Sequence, residues 1–297
     1  TCHSAAGIEE KNKKLTPLHA VILGIVEGIT EYLPVSSTGH LLIAKDAIGL
    51  GAGLRASPAT TDDENTAINA YIVCIQFGAI LAILVVCLHR FRTILNGLLH
   101  RDPEGRRLLG NLMLALLPAI VLGLLLEAHI KAYLFGASAV IAGWFFGGIV
   151  ILAVSFWSKH RKSDLHQGHR IEDIRAGTAL FIGIVQCFAM WPGVSRSLAT
   201  ILGALFMGVS MQAAVEFSFL LGAVTLTAAT GYDVIKHGST MLATLDLPSM
   251  TLGLLFAFLS AVLSVKWMIR YLNRYGLELF GYYRIAIAII AAFIYFV

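Results

Sequence analysis

The stretch EGITEYLPVSSTGH, from Glu27 to His40, places two glutamates, three consecutive hydroxyl residues and a histidine among apolar segments. Pro34 and the hydroxyl residues that follow it interrupt the apolar stretch 18–44 near its middle. Such a break leaves backbone N–H and C=O groups unpaired, which a membrane tolerates only where the break is buried in protein or lines a wet cavity. We therefore predict a re-entrant helix–loop–helix hairpin over this stretch.

A second break of the same kind interrupts the apolar stretch 177–206, where WPGVSRS supplies proline, glycine and hydroxyl residues. The two regions also resemble one another. GIVEGITEYLPVSST, Gly24–Thr38, aligns with GIVQCFAMWPGVSRS, Gly183–Ser197, when a one-residue gap near the proline is allowed. The second break predicts a second re-entrant hairpin. One hairpin plus three spans is an odd number of crossings, so the second copy would be inverted; chance similarity between apolar segments is the alternative. Inverted repeats of broken helices bring the two breaks together near the middle of the membrane.

The composition favours an all-α polytopic membrane protein. Of the 297 residues, 57% are hydrophobic and 13% are charged, whereas roughly 25% of residues are charged in soluble domains. Apolar runs of about 20 residues are long enough to cross a hydrocarbon core of about 30 Å as helices. About six transmembrane helices are predicted, over 68–88, 108–127, 138–157, 211–235, 249–271 and 281–297.

The repeat extends to positions outside the breaks. Glu27 faces Gln186 in the alignment, and QFGAIL from Gln76 is echoed by EFSFLL from Glu216. The polar N-terminal tail lacks the apolar region of a signal peptide, and no linker divides the rest into separate domains. The predicted bounds are 1–16 for the tail, 17–297 for one integral-membrane domain, about 17–127 and 138–271 for the inverted repeats, and about 281–297 for the last helix.

The distribution of basic residues predicts the orientation of the chain. Segments 46–66 and 236–248 are expected to be loops outside the membrane. Lys and Arg are more frequent in the loops within 90–107, 159–175 and 270–274 than on the opposite side of the predicted helices. Basic loops face the cytoplasm, so both termini are expected outside and the first hairpin is expected to open to the outer face.

Glu27 and Glu31 are one helical turn apart, so a helix places both carboxylates on one face. Two ionised carboxylates in a site of low dielectric constant repel each other and need a cation, a shared proton or a basic partner. A divalent ion held by both carboxylates and by phosphate oxygens of a substrate would meet this need. The alternative is a helix end without a role, although acids inside a membrane are costly and usually functional.

The run Ser36-Ser37-Thr38-Gly39 follows the proline. Such a turn can direct hydroxyls and backbone N–H groups at an anion, especially where a helix begins. If residues 37–40 open a helix, Ser37 and His40 share a face and can form a hydrogen bond. A nucleophile and a base within reach of each other are the pattern of covalent catalysis. A helix cap beside an unrelated polar side chain is the simpler alternative.

Arg196 lies in the middle of the second apolar hairpin, where a charged group needs a partner. Its planar guanidinium suits phosphate oxygens better than a lysine would. The hydroxyl residues near it are Ser195, Ser197 and Thr200. A structural salt bridge is the alternative role, with Glu27, Glu31 or Glu216 as its partner. Arg284, inside a predicted helix, is expected either to pair with Glu216 or to line the cavity.

At this point EGITEYLPVSSTGH and PGVSRSLAT resemble the two signature motifs of the bacterial undecaprenyl pyrophosphate phosphatases of the bacitracin-resistance type. The segments IQFGAILA, LLPAIVLGLL and EFSFLLGA are similar to that family too, in the expected order. The likeness extends over nearly the whole chain from about residue 17. It implies a plasma-membrane enzyme that removes one phosphate from undecaprenyl pyrophosphate. The product is undecaprenyl phosphate, the carrier lipid that cell-wall synthesis recycles.

The resemblance also implies roles for particular residues. The functional glutamates of the family fall on Glu27 and Glu31, its motif serine and histidine on Ser37 and His40, and its motif arginine on Arg196. Dependence on Mg²⁺ or Ca²⁺ is implied, as is an effect of bacitracin through sequestration of the lipid substrate. A homodimer is a candidate assembly, and nothing in the sequence indicates a nucleic-acid partner.

These expectations combine into a mechanistic hypothesis with open alternatives. Arg196 and the nearby hydroxyls would bind the pyrophosphate, while the two glutamates would hold the cation. Ser37 would be the nucleophile and His40 its base, or His40 or Glu31 would activate water directly. The alternative function is a transporter or flippase of polyprenyl phosphate lipids, because inverted repeats with broken helices are typical of transporters.

Overall fold

The computed structural model describes residues 15–50, 62–134, 136–160, 167–244 and 247–296. These residues form eleven α-helices and two short 3₁₀ turns, at Ile171–Asp173 and Cys187–Met190. The helices are α1 (Pro17–Thr30), α2 (Ser37–Ile48), α3 (Asp62–Val86), α4 (Leu88–Leu98), α5 (Pro103–Leu134), α6 (Ala137–His160), α7 (Ala176–Gln186), α8 (Arg196–Phe206), α9 (Met211–Thr244), α10 (Leu247–Tyr275) and α11 (Glu278–Phe296).

Five helices are long and apolar enough to cross a membrane, namely α5, α6, α9, α10 and α11. They confirm five of the six predicted spans. The sixth, predicted over 68–88, corresponds to Tyr71–Val86 of α3. This segment meets the same criterion only together with α4, from which it is bent by 84°. The expectation of an all-α polytopic membrane protein is therefore confirmed.

Both predicted loops contain helical residues. The expected loop 236–248 is wrong for most of its length, because α9 continues to Thr244. Within the expected loop 46–66, α2 extends to Ile48 and α3 begins at Asp62, whereas 51–61 lie outside the described residues. Most of the predicted tail also lies outside them, since the description begins at residue 15. Helix α4 was not predicted, because its mixture of polar and apolar residues resembles a loop.

Both predicted breaks are present as helix–break–helix units. In the first, α1 ends at Thr30, a turn covers Glu31 to Val35, and α2 begins at Ser37. In the second, α7 passes into the 3₁₀ turn Cys187–Met190, and α8 begins at Arg196. The two helices of each unit pack against each other. The chain therefore turns back on itself at each break.

The first helix of each broken unit packs against a long helix from the other half of the chain. Helix α1 packs against α10, and its counterpart α7 packs against α5. Corresponding long helices also meet, because α3 packs against α9 and α6 against α11. Each broken unit is followed by three long helices, so the element order divides the chain between residues 160 and 176. The predicted repeat bounds 17–127 and 138–271 and the inverted relation of the halves stay predictions.

Two glycines allow the broken units to approach the long helices. A Cβ atom on Gly24 would lie 2.5 Å from the carbonyl oxygen of Gly253 in α10. A Cβ atom on Gly183 would lie 2.3 Å from the carbonyl oxygen of Ala115 in α5. Gly24 and Gly183 are aligned with each other in the sequence repeat. The close contact of backbones is therefore the same in both halves, as the predicted repeat requires.

Candidate active site

The two breaks contact each other at the centre of the molecule. The hydroxyl of Ser197 donates to the carbonyl oxygen of Leu33 at 2.9 Å. The guanidinium of Arg284 donates to the carbonyls of Pro34 at 3.0 Å and Gly193 at 2.7 Å. The prediction that the two breaks converge is thus confirmed by direct hydrogen bonds between them and through a shared arginine.

The same unusual backbone conformation precedes each second helix. Ser36 has a φ of 71° and Ser195 a φ of 77°, values that residues other than glycine rarely adopt. Each of these serines immediately precedes the first residue of a helix, α2 or α8. Helix N termini bind anions through free N–H groups and the helix dipole. Strained residues of this kind cluster at functional sites.

A polar cleft of about 180 Å³ lies where the two N termini meet. Both breaks contribute to its wall, and a side chain from α3 and one from α9 complete it. The lining residues are Glu31, Ser36, Ser37, Thr38, Gln76, Ala189, Pro192, Gly193, Ser195, Arg196 and Leu226.

Glu31 connects the chemistry of the two breaks. Its Oε2 accepts a hydrogen bond from the hydroxyl of Ser37 at 2.5 Å, and its Oε1 accepts one from Nη2 of Arg196 at 2.6 Å. Charge-assisted hydrogen bonds of this length are among the strong ones. A Cβ atom on Gly222 of α9 would lie 1.9 Å from Nη1 of Arg196. Glycine at that position therefore makes room for the guanidinium beside the cleft.

The sequence left two roles open for Arg196, namely phosphate binding and a structural salt bridge. The salt bridge exists, with Glu31 as its partner. Yet Nη1 of Arg196 is buried and has no hydrogen-bond acceptor among the described residues. Arg196 also lines the cleft. The guanidinium is therefore paired with Glu31 at Nη2, while Nη1 has no acceptor in the described part of the chain.

Glu27 lies behind this pair and does not line the cleft. Its side chain is fully buried, and neither carboxyl oxygen has a hydrogen-bond donor among the described residues. Gln186, at the aligned position of the second break, is buried as well, and neither polar atom of its side-chain amide has a partner in the described part of the chain. Orphaned buried polar atoms are rare and call for an explanation.

The two carboxylates could hold a divalent cation only if phosphate oxygens and water supplied its other ligands. The described residues contain no group of three or more His, Cys, Asp or Glu side chains that could hold a metal ion. Mg²⁺ often uses one or two carboxylates and takes its other ligands from phosphate oxygens and water. The unpaired oxygens of Glu27 suit such an ion, whereas those of Glu31 are already shared with Ser37 and Arg196.

His40 occupies a different place from the one predicted. Its Nδ1 lies 2.7 Å from the carbonyl oxygen of Ser36, and its Nε2 lies 2.7 Å from the hydroxyl of Tyr283. A carbonyl can only accept, so Nδ1 carries the proton in the neutral ring and Nε2 accepts from the tyrosine. The predicted hydrogen bond between Ser37 and His40 is wrong, because the hydroxyl of Ser37 points to Glu31.

The other predicted binding residues divide into two groups. Ser36, Thr38 and Ser195 line the cleft. Three others do not line it and have structural contacts. Gly39 lies against Trp144, where a Cβ atom would come within 2.3 Å of the ring. Ser197 ties the second break to Leu33. Thr200 points to α9, where its hydroxyl lies 2.7 Å from that of Ser218.

Gln76 was not assigned to the site from the sequence, and neither alternative for Arg284 holds, because it does not line the cleft and does not pair with Glu216. Arg284 is fully buried, and the described residues contain no carboxylate that pairs with it. Its predicted alternative partner, Glu216, instead forms an ion pair with Arg90 at 2.8 Å. Besides the two breaks, Arg284 donates to the carbonyls of Gly143 and Trp144. The repeat aligns Gln76 with Glu216, but Glu216 does not line the cleft, so the sequence carried no signal for Gln76.

An apolar bundle with two converging helix N termini, an arginine with free donors and a serine hydrogen-bonded to a carboxylate defines a class of protein. It is a polytopic membrane protein with a polar cleft between two broken helical units. Residues 20–290 match the family described as Bacitracin resistance protein BacA. The chain belongs to this family.

Individual relatives agree with the family match. An undecaprenyl-diphosphatase from Sorangium cellulosum is 43% identical over 269 residues, which are 90% of this chain and 83% of the relative. An undecaprenyl-diphosphatase from Acidovorax ebreus is 39% identical over 92% of this chain and 93% of the relative. A protein named undecaprenyl-diphosphatase 2 from Rhodospirillum rubrum is 40% identical over the same shares.

Proposed function

We propose that this protein is an undecaprenyl-diphosphatase, which hydrolyses the terminal phosphate of undecaprenyl pyrophosphate to give undecaprenyl phosphate. The observation that carries the proposal is the hydrogen-bonded set Ser37, Glu31 and Arg196 at the meeting point of two helix N termini. The family and the names of its members support the same activity. An embedded cleft suits a substrate whose long apolar chain stays in the membrane.

The cleft provides binding groups for a pyrophosphate. Arg196 has an unpaired nitrogen, and the first residues of α2 and α8 border the cleft. Phosphoryl transfer depends mainly on positioning and on stabilisation of charge. A bound pyrophosphate shares the guanidinium with Glu31, because both anions are attracted by the same positive charge. Its arrival therefore weakens the ion pair at Glu31 and strengthens that carboxylate as a base.

Ser37 is the nucleophile in this scheme. Its Oγ attacks the terminal phosphorus, while its proton passes to Oε2 of Glu31, which lies 2.5 Å away. The new Oγ–P bond replaces the bridging P–O bond, and undecaprenyl phosphate leaves. Water then cleaves the phosphoserine and releases inorganic phosphate. His40 holds the backbone of the first break through Ser36 and acts as a positioning residue rather than as the base.

A divalent cation, Mg²⁺ or Ca²⁺, is part of the proposal. Glu27 would hold it, together with Oε1 of Glu31 once the guanidinium turns to the pyrophosphate, and the unpaired buried oxygens of Glu27 are the observation in its favour. When bound, the ion would neutralise charge on the pyrophosphate. The remaining ligands would come from the substrate and water, because the two carboxylates are too few.

The proposed setting is the bacterial plasma membrane. The excess of Lys and Arg in the loops within 90–107, 159–175 and 270–274 supports cytoplasmic loops there, with both termini and the mouth of the cleft at the outer face. Bacitracin would then act on the same substrate by sequestering it. A homodimer stays a prediction.

The test measures phosphate release from undecaprenyl pyrophosphate by the purified protein in detergent, with Mg²⁺ or Ca²⁺ present and then chelated. We expect metal-dependent release that Ser37→Ala lowers by several orders of magnitude. Ser260→Ala is the matched control, because the hydroxyl of Ser260 bonds only within its own helix. An acid quench during turnover should trap phosphate on Ser37.

Each other result has a distinct meaning. Full activity of Ser37→Ala without a trapped phosphoserine would show that water attacks directly and that Ser37 only orients the phosphate. Binding of the lipid by wild-type protein without any phosphate release would contradict the phosphatase and favour a lipid transporter.

A further inference from the structure

A large apolar groove lies on the far side of the second break from the cleft. Its walls come from α6, from α7 with the following 3₁₀ turn, and from α8, and its volume is about 500 Å³. Every side chain that lines it is apolar or aromatic. We call it the tail groove.

The concave shape of the tail groove comes from small residues on its floor and large ones on its rim. Ala142 and Gly147 of α6 contribute to the floor. Phe146, Phe188 and Phe206 stand at the rim with 63%, 70% and 63% of their surface exposed. A helix face that meets ordinary lipid needs no such cavity, whereas a bound apolar chain does.

The tail groove and the catalytic cleft share one wall. Pro192 and Gly193 line the cleft, while their neighbours Trp191 and Val194 line the groove. The preceding turn is shared in the same way, because Ala189 faces the cleft and Phe188 faces the groove. Trp191 is 42% exposed, so this shared wall reaches the surface of the molecule. Consecutive residues of the second break therefore separate the cleft from the groove, and the two spaces lie one residue apart.

A side chain of α6 packs against the first break. Trp144 is fully buried, donates its indole N–H to the carbonyl of Val35 at 2.8 Å, and packs against Gly39 and His40. Trp144 therefore covers the first break from the same helix, α6, whose other residues line the tail groove.

We infer that the tail groove binds the first isoprene units of the polyprenyl substrate while its pyrophosphate occupies the cleft. The inference rests on the proposed function, because it needs a substrate in which an apolar chain is joined covalently to the head group. The cleft, at about 180 Å³ and with a polar lining, does not accommodate such a chain. Along α8 the groove extends from Leu198 to Phe206, roughly 12 Å at 1.5 Å per residue.

The tail groove predicts that chain length matters to affinity. A pyrophosphate that carries a single isoprene unit cannot reach beyond the shared wall. Longer chains bury more apolar surface in the groove and bind more tightly. The Michaelis constant, KM, should therefore fall from the five-carbon compound to chains of several units, and this gain should depend on the groove.

The experiment compares phosphate release from isoprenyl pyrophosphates of one, three and eleven units by wild type and by Ala142→Phe, which fills the floor of the groove. We expect KM for the two longer substrates to rise about tenfold, equivalent to about 1.4 kcal/mol. KM and kcat for the one-unit substrate should stay unchanged. Ala228→Phe is the matched control, because Ala228 is an exposed alanine on α9.

The outcomes separate this inference from the proposed function. No phosphate release from any substrate by wild type contradicts the phosphatase itself. Release with the same preference for long chains in wild type and Ala142→Phe overturns the groove alone. If Ala142→Phe fails to fold, a photoreactive residue at the exposed position Phe206 gives the answer. It should crosslink the eleven-unit substrate and not the one-unit substrate, and capture of membrane phospholipid instead would overturn the inference.

Discussion

The two helix breaks share a backbone and differ in chemistry. Ser36 and Ser195 have the same unusual φ immediately before a helix, and Gly24 and Gly183 bring the two units equally close to a long helix of the other half. The side chains at the cleft differ. Where the first break has Ser37, the aligned position of the second break has Arg196.

The difference shows where the function comes from. A repeated scaffold supplies two helix N termini that face one cleft, and this accounts for anion binding in general. The proposed reaction needs different groups at the cleft. The first break supplies a nucleophile and a base, and the second break supplies the guanidinium of Arg196. Glu31, which contacts both Ser37 and Arg196, is the residue at which the two halves become unequal.

The largest expected effect follows from making the breaks alike at this position. Arg196→Ser would give the second break the hydroxyl of the first and remove the free guanidinium donors. Loss of a donor that stabilises developing charge lowers kcat by about 10²–10³-fold, and phosphate release measures it. Arg92→Ser, at an exposed arginine of α4, should retain activity. An Arg196→Ser protein within a few-fold of wild type would remove Arg196 from the mechanism.

A smaller effect on activity is expected from Glu27. This residue and Gln186 occupy aligned positions, and both have buried side chains without hydrogen-bond partners among the described residues. Glu27→Gln keeps the shape of the side chain and removes its charge, so the fold should persist while the apparent affinity for Mg²⁺ or Ca²⁺ falls. Changes to the partners of a metal site typically cost 10–100-fold in affinity or activity. Titration of activity with the cation provides the measurement. The reciprocal change, Gln186→Glu, should leave that titration unchanged, and an equal effect at both positions would argue against a cation held by Glu27.

The two hairpins and several residues of the cleft could be predicted from the sequence. The broken apolar stretches predicted both hairpins, because proline and hydroxyl residues cannot continue an apolar helix without partners. The paired motifs also indicated the residues of the cleft, including Glu31, Ser37 and Arg196. Spacing along a helix could not show where a side chain points. It therefore suggested Ser37 with His40, whereas Ser37 turns back to Glu31 across the break.

Contacts between residues far apart in the sequence could not be predicted for a related reason. Arg284 follows the first break by some 250 positions, and no local pattern connects an arginine in one helix with carbonyls in two distant turns. Thr200 lies one helical turn after Arg196, as predicted, yet the rotation of α8 turns it to Ser218. Tertiary packing decides both cases.

Arg284 provides the next prediction, because it joins the two breaks without lining the cleft. Arg284→Gln removes hydrogen bonds to Pro34 and Gly193 and leaves buried carbonyls unpaired. A hydrogen bond to a charged group contributes about 1.5–3 kcal/mol, so thermal unfolding in detergent should show a loss of about 3 kcal/mol.

The same variant tests whether Arg284 positions the breaks. Misplaced catalytic groups lower kcat, and a drop of about tenfold in kcat with little change in KM is expected at temperatures where the protein remains folded. Arg284→Lys should recover part of the stability and less of kcat, because its ammonium lacks the planar fork. Arg274→Gln, at an exposed arginine of α10, is the control. Unchanged kcat in folded Arg284→Gln would limit Arg284 to a structural role.

The smallest expected effect tests the shared scaffold rather than the chemistry. Gly24→Ala and Gly183→Ala each push a Cβ atom into a backbone carbonyl of a long helix, at 2.5 Å and 2.3 Å. Overpacking of this kind costs about 1–3 kcal/mol.

Gly177→Ala is the control, because nothing lies within 4 Å of its added Cβ. Alanine there should stabilise α7 by up to about 1 kcal/mol. Thermal unfolding of the three variants measures the effect. Equal losses at Gly24 and Gly183 are the result that a common packing geometry requires, since the two contacts are equivalent. A loss at one glycine alone would mean that the two halves agree in sequence and backbone but not in how tightly they are packed.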